Sequence, residues 1–423
     1  MEISKERVLI VGVELDRDEI TIEDSMDELR ELVEAAGGEV VASVIQRKER
    51  LNPAFFIGKG KATEIRENSE LLDVDTVVFN DELSGAQLRN LEELIQRKIV
   101  DRTNLILDIF ALRAVSKEGK LQVRLAQLKY RLPRLVGFRD YLSREGAGIG
   151  TRGPGEQKLE TDRRHILREI NSLERQLKEI EEVREVKRKR RVSSQLPMVA
   201  LVGYTNAGKS TLLNALMDKD HAESDKSVFV EDMLFATLDT SHRISRLPNG
   251  QEYLLADTVG FVSKLPTKLV EAFKGTLEEV KYADLLLHVV DVSSDSLDIQ
   301  IQTTLKLIKE LEAADKPVLT VFNKIDKLDG SPAHPDMRGI SEHIDISARY
   351  GTNLDELQIK IQHMLPQVFR EVEMKIPYSE QAVLSAIMDK YDTKILEYEE
   401  DGTVVSLVAD SIDYEKYKKF IRD

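Results

Sequence analysis

The amino-acid sequence predicts a multidomain α/β protein, and three features lead to this fold class. Short β-rich runs alternate with amphipathic helices over residues 7–102, which favours a mainly parallel sheet. Two narrow apolar seams, over residues 107–135 and 166–180, flank a glycine-rich stretch, which predicts an antiparallel helical hairpin. From residue 198 onward buried strands again alternate with helices, as is typical of a doubly wound, mainly parallel sheet.

Length and composition limit the remaining possibilities. The chain has 423 residues, 41% hydrophobic and 32% charged, which is long enough for about two to four domains. It has no apolar run of about eighteen residues and no apolar stretch behind a basic N-terminus. We therefore expect neither a membrane span nor a signal peptide, and a cytoplasmic location. The absence of cysteine excludes disulfides and thiolate metal sites.

Charge is unevenly distributed along the chain. The formal net charge is -15, yet residues 113–191 contain 22 Lys and Arg against 12 Asp and Glu. This stretch carries a local charge of +10, which by difference leaves -25 for the rest. Such segregation favours one basic arm that contacts a phosphate backbone, on a body that avoids it. The alternative is a solvated helical face of mixed charge.

Domain boundaries are expected where the pattern changes. The expected units are an N-terminal α/β domain over 1–102, a helical hairpin over 103–192, a linker over 193–197, a nucleotide-binding domain over 198–368 and a small C-terminal α+β domain over 369–423. The last unit contains Asp401-Gly402 between alternating residues, which is a good hairpin signal. Because this unit is acidic, a protein partner is favoured over RNA.

A glycine-rich basic loop, Ile-Gly-Lys-Gly-Lys, lies at residues 57–61 of the N-terminal domain. It lacks the Gly-Lys-Ser/Thr ending of a phosphate-binding loop and comes shortly after Asn52-Pro53. A second nucleotide site is one reading. A turn or a contact to RNA backbone is favoured over it.

Each helix of the predicted hairpin carries an apolar seam whose members step by four and three. The members on the first are Leu107, Ala111, Ala114, Leu121, Leu125, Leu128, Leu132 and Leu135, and on the second Ile166, Ile170, Leu173, Leu177 and Ile180. Gly119 is expected to be a weak point of the first seam. Neither seam can be buried alone, so the simplest solution is an antiparallel two-helix coiled coil.

Residues 146–155, between the two seams, contain five glycines. Ordering such a stretch costs conformational entropy, so we expect a flexible tip that a partner orders. Positive charge at and just below the tip suits contacts to phosphate. The predicted RNA-contacting residues are Gly148, Arg152, Gly153, Gly155, Lys158, Arg163 and Arg164. The alternative is a disordered connector that has no function of its own.

A phosphate-binding P-loop is predicted at residues 203–211, between a buried strand and a helix. Its glycines let backbone N–H groups face a polyphosphate at the helix N-terminus. Lys209 would reach the β- and γ-phosphates, and the Ser210 hydroxyl would ligate Mg²⁺. The predicted nucleotide contacts are Gly203, Tyr204, Thr205, Asn206, Ala207, Gly208, Lys209, Ser210 and Thr211.

Three later motifs indicate the rest of a guanine-nucleotide hydrolase site. After a strand at 254–256, an Asp can hold the Mg²⁺ shell and a Gly N–H can contact the γ-phosphate. Asp326 can accept hydrogens from guanine N1 and N2, which adenine does not offer, so GTP is favoured over ATP. The predicted contacts are Asp257, Thr258, Val259, Gly260, Asn323, Lys324, Asp326, Ser347, Ala348 and Arg349.

A mobile switch threonine is expected ahead of Asp257. Thr237 is the candidate that ligates Mg²⁺ and closes on the γ-phosphate, Thr240 is the competitor, and Phe235 is a neighbouring nucleotide contact. The predicted metal ligands are thus Ser210, Thr237 and Asp257, and the predicted catalytic residues are Lys209, Thr237 and Gly260.

Three stretches resemble the HflX family of bacterial GTPases: DTVGFVSKLPTKLVEAFKGTLEE at 257–279, GTRGPGEQKLETDRR at 150–164 and DRTNLILDIFALRA at 101–114. The likeness covers most of residues 40–370. It implies an HflX-type N-terminal domain with a helical hairpin and a Ras-like GTPase domain. It also implies binding to the large (50S) ribosomal subunit near its peptidyl-transferase centre, and splitting of stalled ribosomes under stress. The family's usual ATLDPT is here ATLD followed by Thr240, and the C-terminal 50 residues resemble the family only loosely.

Two single residues bear on the chemistry. Position 261, where many such hydrolases have a water-orienting glutamine, is Phe261, so we expect slow hydrolysis that a partner stimulates. Asn206 matches GTPases that use K⁺ near the phosphates, but a plain turn former fits it as well.

Three functions fit these features. The first is a monomeric GTPase that splits or rescues stalled 70S ribosomes. The second is a GTPase of ribosome assembly or rRNA remodelling, and the third is a regulatory switch whose GTP form binds a protein. The basic hairpin favours the first two.

Overall fold

The structure is a computed structural model that describes residues 5–16, 21–145, 154–193, 196–218, 241–258, 260–263, 279–294, 296–328, 330, 340–366 and 369–422. Within these ranges no helix is long and apolar enough to cross a membrane.

The N-terminal domain is built on a four-stranded parallel sheet, as the alternating pattern predicts. Its strands are β1 (Glu6–Glu14), β2 (Gly38–Arg47), β3 (Thr76–Phe79) and β4 (Lys98–Asp101), in the order β2-β1-β3-β4. Its helices are α1 (Ile22–Ala35), α2 (Lys59–Leu71), α3 (Gly85–Ile95) and α4 (Arg102–Arg113). Side chains of β1 alternate between two buried apolar clusters, so this strand is covered by apolar side chains on both faces.

The glycine-rich basic loop forms the start of a helix. Gly58 is the N-cap residue of α2, and its N–H donates to Gln46 Oε1 at 2.9 Å. Gly58 to Lys61 thus form the N-cap and the first turn of α2, and a contact to RNA backbone or nucleotide at this loop stays a prediction.

The hairpin consists of α5 (Lys117–Glu145) and α6 (Pro154–Ser193), packed along the predicted seam. The packed residues are Leu121, Leu125, Leu128, Leu132, Ile166, Ile170, Leu173 and Leu177. Ion pairs flank this seam, including Arg124 to Glu169 at 2.8 Å and Lys129 to Glu174 at 2.8 Å.

The start of the hairpin differs from the expected residue 103. Leu107 lies on α4, whose side chains pack in the core of the N-terminal domain, so the first steps of the predicted seam do not belong to the hairpin. Gly119 lies in the first turn of α5. The helix breaks instead before Ser116, whose hydroxyl accepts from the Gly119 N–H at 2.9 Å and caps α5.

The central domain has a six-stranded sheet in the order β10-β9-β8-β5-β7-β6, with only β6 antiparallel to its neighbour. The strands are β5 (Met198–Gly203), β6 (Ser241–Arg246), β7 (Glu252–Asp257), β8 (Leu285–Asp291), β9 (Val318–Asn323) and β10 (Glu342–Asp345). The helices are α7 (Lys209–Asp218), α8 (Leu297–Glu310) and α9 (Leu354–Met364).

The C-terminal domain is an antiparallel three-stranded sheet with short helices, which confirms the predicted α+β pattern. Its elements are β11 (Phe369–Pro377), α10 (Gln381–Lys390), β12 (Lys394–Tyr398), β13 (Gly402–Asp410) and α11 (Ser411–Lys416), with the sheet order β11-β13-β12. The predicted turn at Asp401-Gly402 joins β12 to β13.

One apolar cluster continues from the N-terminal domain into the central domain. It contains Met26 of α1 and Phe110 of α4 together with Tyr204, Phe261 and Val262 of the central domain. The two domains therefore share a core at the edge where the predicted nucleotide loops lie.

Candidate nucleotide-binding site

The loop between β5 and α7 has the backbone that a phosphate needs. Gly203 and Gly208 have positive φ angles of +150° and +91°. A Cβ on Gly203 would lie 2.1 Å from Val289 O, and one on Gly208 would lie 2.3 Å from Asn323 Nδ2. Only glycine fits at either position, so the loop can pass close to β8 and β9 while it turns into α7.

Lys209, the first residue of α7, is 7% exposed. Its ammonium donates to Gly203 O at 3.1 Å and to Tyr204 O at 2.7 Å, which holds it inside the loop. Burial lowers the pKa of Lys209 from 10.5 to about 8, although the nearby Asp257 opposes that shift. His288 of β8 is buried near this ammonium, and burial together with the positive Lys209 lowers the pKa of His288 to about 3. The buried cation inside this loop is thus Lys209, while His288 is neutral.

Two oxygen ligands for a divalent cation lie together beside the loop. Ser210 Oγ donates to Asp257 Oδ2 at 3.0 Å, and Asp257 is completely buried at the end of β7. Mg²⁺ prefers hard oxygen donors and retains several waters, so a hydroxyl and a carboxylate at this spacing fit it. Among the described residues there is no group of three or more His, Cys, Asp or Glu that could hold a metal by itself.

The base-binding motif lies on the neighbouring strand end. Asn323 Nδ2 donates to Ala207 O at 3.0 Å and its Oδ1 accepts from the Ala348 N–H at 3.0 Å, which ties the phosphate loop to the segment after β10. Ser347 Oγ donates to Asp326 Oδ1 at 2.6 Å. The Asp326 carboxylate is therefore fixed where it can accept from a guanine edge.

Lys324 is positioned by a residue that the sequence analysis missed. Its Nζ lies 2.7 Å from Asp291 Oδ2, at the end of β8. The available signal was positional, because Asp291 ends a buried strand whose carboxyl end meets that of β9 in a parallel sheet.

The segment after Asp257 pairs with the phosphate loop. The Phe261 N–H donates to Gly203 O at 3.1 Å, and Phe261 O accepts from the Thr205 N–H at 2.7 Å. A Cβ on Gly260 would lie 2.8 Å from Thr205 Cγ2 and 3.1 Å from Lys209 Nζ, so Gly260 is in close contact with the phosphate lysine. The Phe261 side chain is 1% exposed and packs in the interdomain core.

Several other residues predicted to contact nucleotide or RNA have side chains that bond within the protein or face solvent. The Thr258 hydroxyl donates a hydrogen bond to Leu201 O at 2.5 Å and thereby connects the segment after β7 to β5. Arg349 is exposed beside Tyr350, and Arg163 and Arg164 are exposed on α6, where Arg164 pairs with Glu160 at 2.6 Å. Asn206 has a φ of +61°, in the left-handed region that asparagine adopts more readily than most residues, so its place in the turn accounts for this residue type.

Some predicted residues cannot be placed. Phe235, Thr237, Thr240, Val259, Gly148, Arg152 and Gly153 lie outside the described residues. Gly155 and Lys158 belong to the first turns of α6. The choice between Thr237 and Thr240 stays open.

Four features lie together at adjoining strand ends: a glycine loop, a buried lysine, a paired serine and aspartate, and an aspartate of the kind that binds guanine. Together they define a P-loop GTPase. Family models match three stretches of the chain: "GTP-binding GTPase N-terminal" at residues 23–111, "GTP-binding GTPase Middle Region" at 113–191 and "50S ribosome-binding GTPase" at 198–324. Curated relatives then identify the family. The chain belongs to the HflX family of GTPases.

Two relatives illustrate the likeness. GTPase HflX of Caldanaerobacter subterraneus is 49% identical over 406 residues, covering 96% of this chain and 91% of the relative. GTPase HflX of Escherichia coli K12 is 39% identical over 386 residues, covering 90% and 88%. Among solved structures, a GTP-binding protein from Sulfolobus solfataricus in complex with GDP is 26% identical with a TM-score of 0.43, covering 85% of this chain and 98% of that chain.

Proposed function

We propose that the protein is a GTP-driven factor that binds the large ribosomal subunit and splits or rescues stalled 70S ribosomes under stress. The observation that carries this proposal is the exposed basic hairpin attached to a GTPase of a ribosome-binding family. At 40 residues, α6 is about 60 Å long, which is enough to reach into a large RNA assembly. Such a target also implies a cytoplasmic location.

The side chains at the loop suggest how GTP is held and cleaved. Mg²⁺, held by Ser210 with Asp257 behind it, would neutralise charge on the β- and γ-phosphates. Lys209 would bind the same phosphate oxygens from inside the loop. Water would attack the γ-phosphorus as the bond from that phosphorus to the bridging β-phosphate oxygen breaks. The Gly260 N–H would donate a hydrogen bond to the γ-phosphate and so stabilise the negative charge that develops there. The products are GDP and inorganic phosphate.

Slow hydrolysis by the isolated protein follows from residue 261. Phe261 has no group that can orient water, and its side chain is buried in the apolar core that the N-terminal and central domains share. A partner must therefore supply the missing group or geometry. We expect purified 50S subunits to raise the rate of GTP hydrolysis by at least about tenfold. Equal rates with and without 50S subunits would refute the proposal.

The ribosomal role is tested most directly by sedimentation. Purified 70S particles are incubated with the protein and a non-hydrolysable GTP analogue, with GDP as the control, and resolved on a gradient. We expect separate 30S and 50S peaks with the analogue and intact 70S with GDP. Intact 70S under both conditions, with binding only to immature particles, would support the assembly role instead.

Removing the tip separates the ribosomal functions from a regulatory switch. A variant lacking residues 146–155 should bind GTP normally yet leave 70S particles intact, because the nucleotide contacts all lie in residues 203–349. If the deletion leaves ribosome splitting unchanged, the hairpin is only an adaptor. A parallel comparison of hydrolysis in KCl and NaCl tests the K⁺ hypothesis for Asn206, which equal rates would remove.

A further inference from the structure

The N-terminal domain inserts an acidic side chain beside the nucleotide site. Glu28 of α1 accepts hydrogen bonds from the Tyr204 hydroxyl in the phosphate loop and from the Ser263 hydroxyl. The Ser263 N–H also donates to Glu28 Oε1 at 2.9 Å and to the Tyr204 hydroxyl oxygen at 2.5 Å. One carboxylate thus joins two segments of the central domain, the loop between β5 and α7 and the segment that follows β7.

Glu28 is held in place by a buried arginine of its own domain. Arg102, the first residue of α4, donates to Glu28 Oε2, to Ser263 O at 3.1 Å and to Ser263 Oγ at 3.1 Å. Its other terminal nitrogen donates to Asn80 Oδ1 at 2.8 Å, at the end of β3. The side chains of Arg102 and Glu28 are 2% and 10% exposed, so both charges are removed from water and need these partners.

The position of Ser263 gives these contacts a consequence. Ser263 is three residues after Gly260, and the residues between them pair with the phosphate loop through Phe261. Gly260 in turn lies against Lys209, where its N–H would meet the γ-phosphate. A chain of bonded contacts therefore runs from Glu28 through Ser263 and Phe261 to Gly260.

We propose that Glu28, held by Arg102, is a positioning residue for GTP hydrolysis: the N-terminal domain fixes the segment 260–263 against the phosphate loop and thereby aims the Gly260 N–H at the γ-phosphate. The Glu28 carboxylate bonds the hydroxyl of Tyr204, whereas the Lys209 ammonium bonds the backbone oxygen of that residue. Its contribution belongs to the hydrolytic step and not to nucleotide binding. This inference rests on the GTPase activity alone and is independent of the ribosomal role.

The test is Glu28→Gln in the full-length protein, assayed by single-turnover GTP hydrolysis and by equilibrium binding of GDP and a GTP analogue. Glutamine keeps the shape of the side chain but removes the charge that bonds Arg102 and the two hydroxyls. We expect the hydrolysis rate to fall about tenfold, while both nucleotide affinities change by less than about twofold. Glu34→Gln is the matched control, since Glu34 is exposed on the same helix.

Ser263→Ala provides a second test that does not create an unpaired buried charge. It removes one hydroxyl and leaves the Arg102 and Glu28 pair intact, so it should fold even if Glu28→Gln does not. We expect a smaller fall in the hydrolysis rate, about threefold, again without loss of affinity. In the double variant the two effects should be less than additive, because both changes act on the same contact.

Two outcomes would overturn the proposal. An unchanged or increased hydrolysis rate in folded Glu28→Gln and Ser263→Ala proteins would show that the contact does not aim Gly260. A parallel loss of hydrolysis and affinity would show that Glu28 merely maintains the nucleotide site. Circular dichroism and thermal melting of each variant confirm that the compared proteins are folded.

Discussion

The nucleotide site and the helical hairpin use charged residues in opposite ways. At the nucleotide site Lys209 and Asp257 are buried, Lys324 is half-buried, and each has a fixed partner. On the hairpin Arg163 and Arg164 are exposed on a helix whose apolar residues serve mainly to pack against its mate. Phosphate-bond cleavage depends on groups that are fixed in position and shielded from water, whereas the proposed contact with an RNA backbone depends on charges that are exposed to solvent.

The largest expected effect concerns the base pocket. Asp326→Asn should weaken GTP binding by about 100-fold or more, because the amide opposes the guanine N1 and N2 donors with a donor of its own. The same variant should gain affinity for XTP, whose C2 oxygen accepts from the new amide. Isothermal titration with both nucleotides measures this. Asp315→Asn, exposed in the same domain, is the control, and unchanged GTP affinity in Asp326→Asn would contradict the assigned role.

The next effect concerns the hairpin and should leave the nucleotide site untouched. Replacing Arg163, Arg164 and Arg168 by Gln should weaken 50S binding roughly 10- to 100-fold and reduce the slope of log K against log salt by about 3. Basal GTP hydrolysis should stay within about twofold. The control is Lys306→Gln with Lys309→Gln, two exposed charges on α8. Equal loss in the control would mean that only net charge matters.

A pH dependence distinguishes the buried lysine from the exposed arginines. The pKa of Lys209 is lowered to about 8 in the free protein, and bound phosphates raise it. The attraction is therefore complete below pH 8 and is lost as the free protein deprotonates above it. We expect GTP affinity to fall about tenfold from pH 7 to pH 9, with proton uptake on binding. Calorimetry in buffers of different ionisation enthalpy measures both, and binding without proton uptake at pH 9 would exclude this shift.

The smallest effect concerns the point where the hairpin joins the N-terminal domain. Ser116→Ala removes the hydroxyl that caps α5 and should lower the free energy of unfolding by about 1 kcal/mol. Thermal unfolding measures the change, with Ser172→Ala on α6 as a comparison. No measurable change in Ser116→Ala would mean that packing alone fixes the start of α5.

Local patterns predicted the parts of the molecule that local chemistry determines. The glycine loop at Gly203, the base motif at Asp326 and the hairpin turn at Asp401-Gly402 are each set by a few adjacent residues, so the fold of each could be inferred from sequence. The seam residues from Leu121 to Leu132 were also predicted, because their spacing allows only one buried face.

Contacts between distant residues could not be predicted in the same way. Leu107 continues the periodicity of the seam, yet α4 is buried in the N-terminal domain because a sheet and α1 lie beside it. Glu28 and Ser263 are 235 residues apart, and nothing in either local sequence marks them as partners. Asp291 was missed because the strand that it ends carries no recognisable motif. In all three cases tertiary packing determines the residue's surroundings.

The continuous core around Phe261 has a practical consequence for dissecting the molecule. Cutting the chain near residue 196 would leave Phe261, Val262 and Tyr204 without the apolar partners that α1 and α4 provide. The isolated GTPase fragment would expose an apolar surface next to its catalytic loop and would tend to self-associate. Melting of the intact chain should accordingly show both domains losing structure in a single step, so neither can be treated as an independent module.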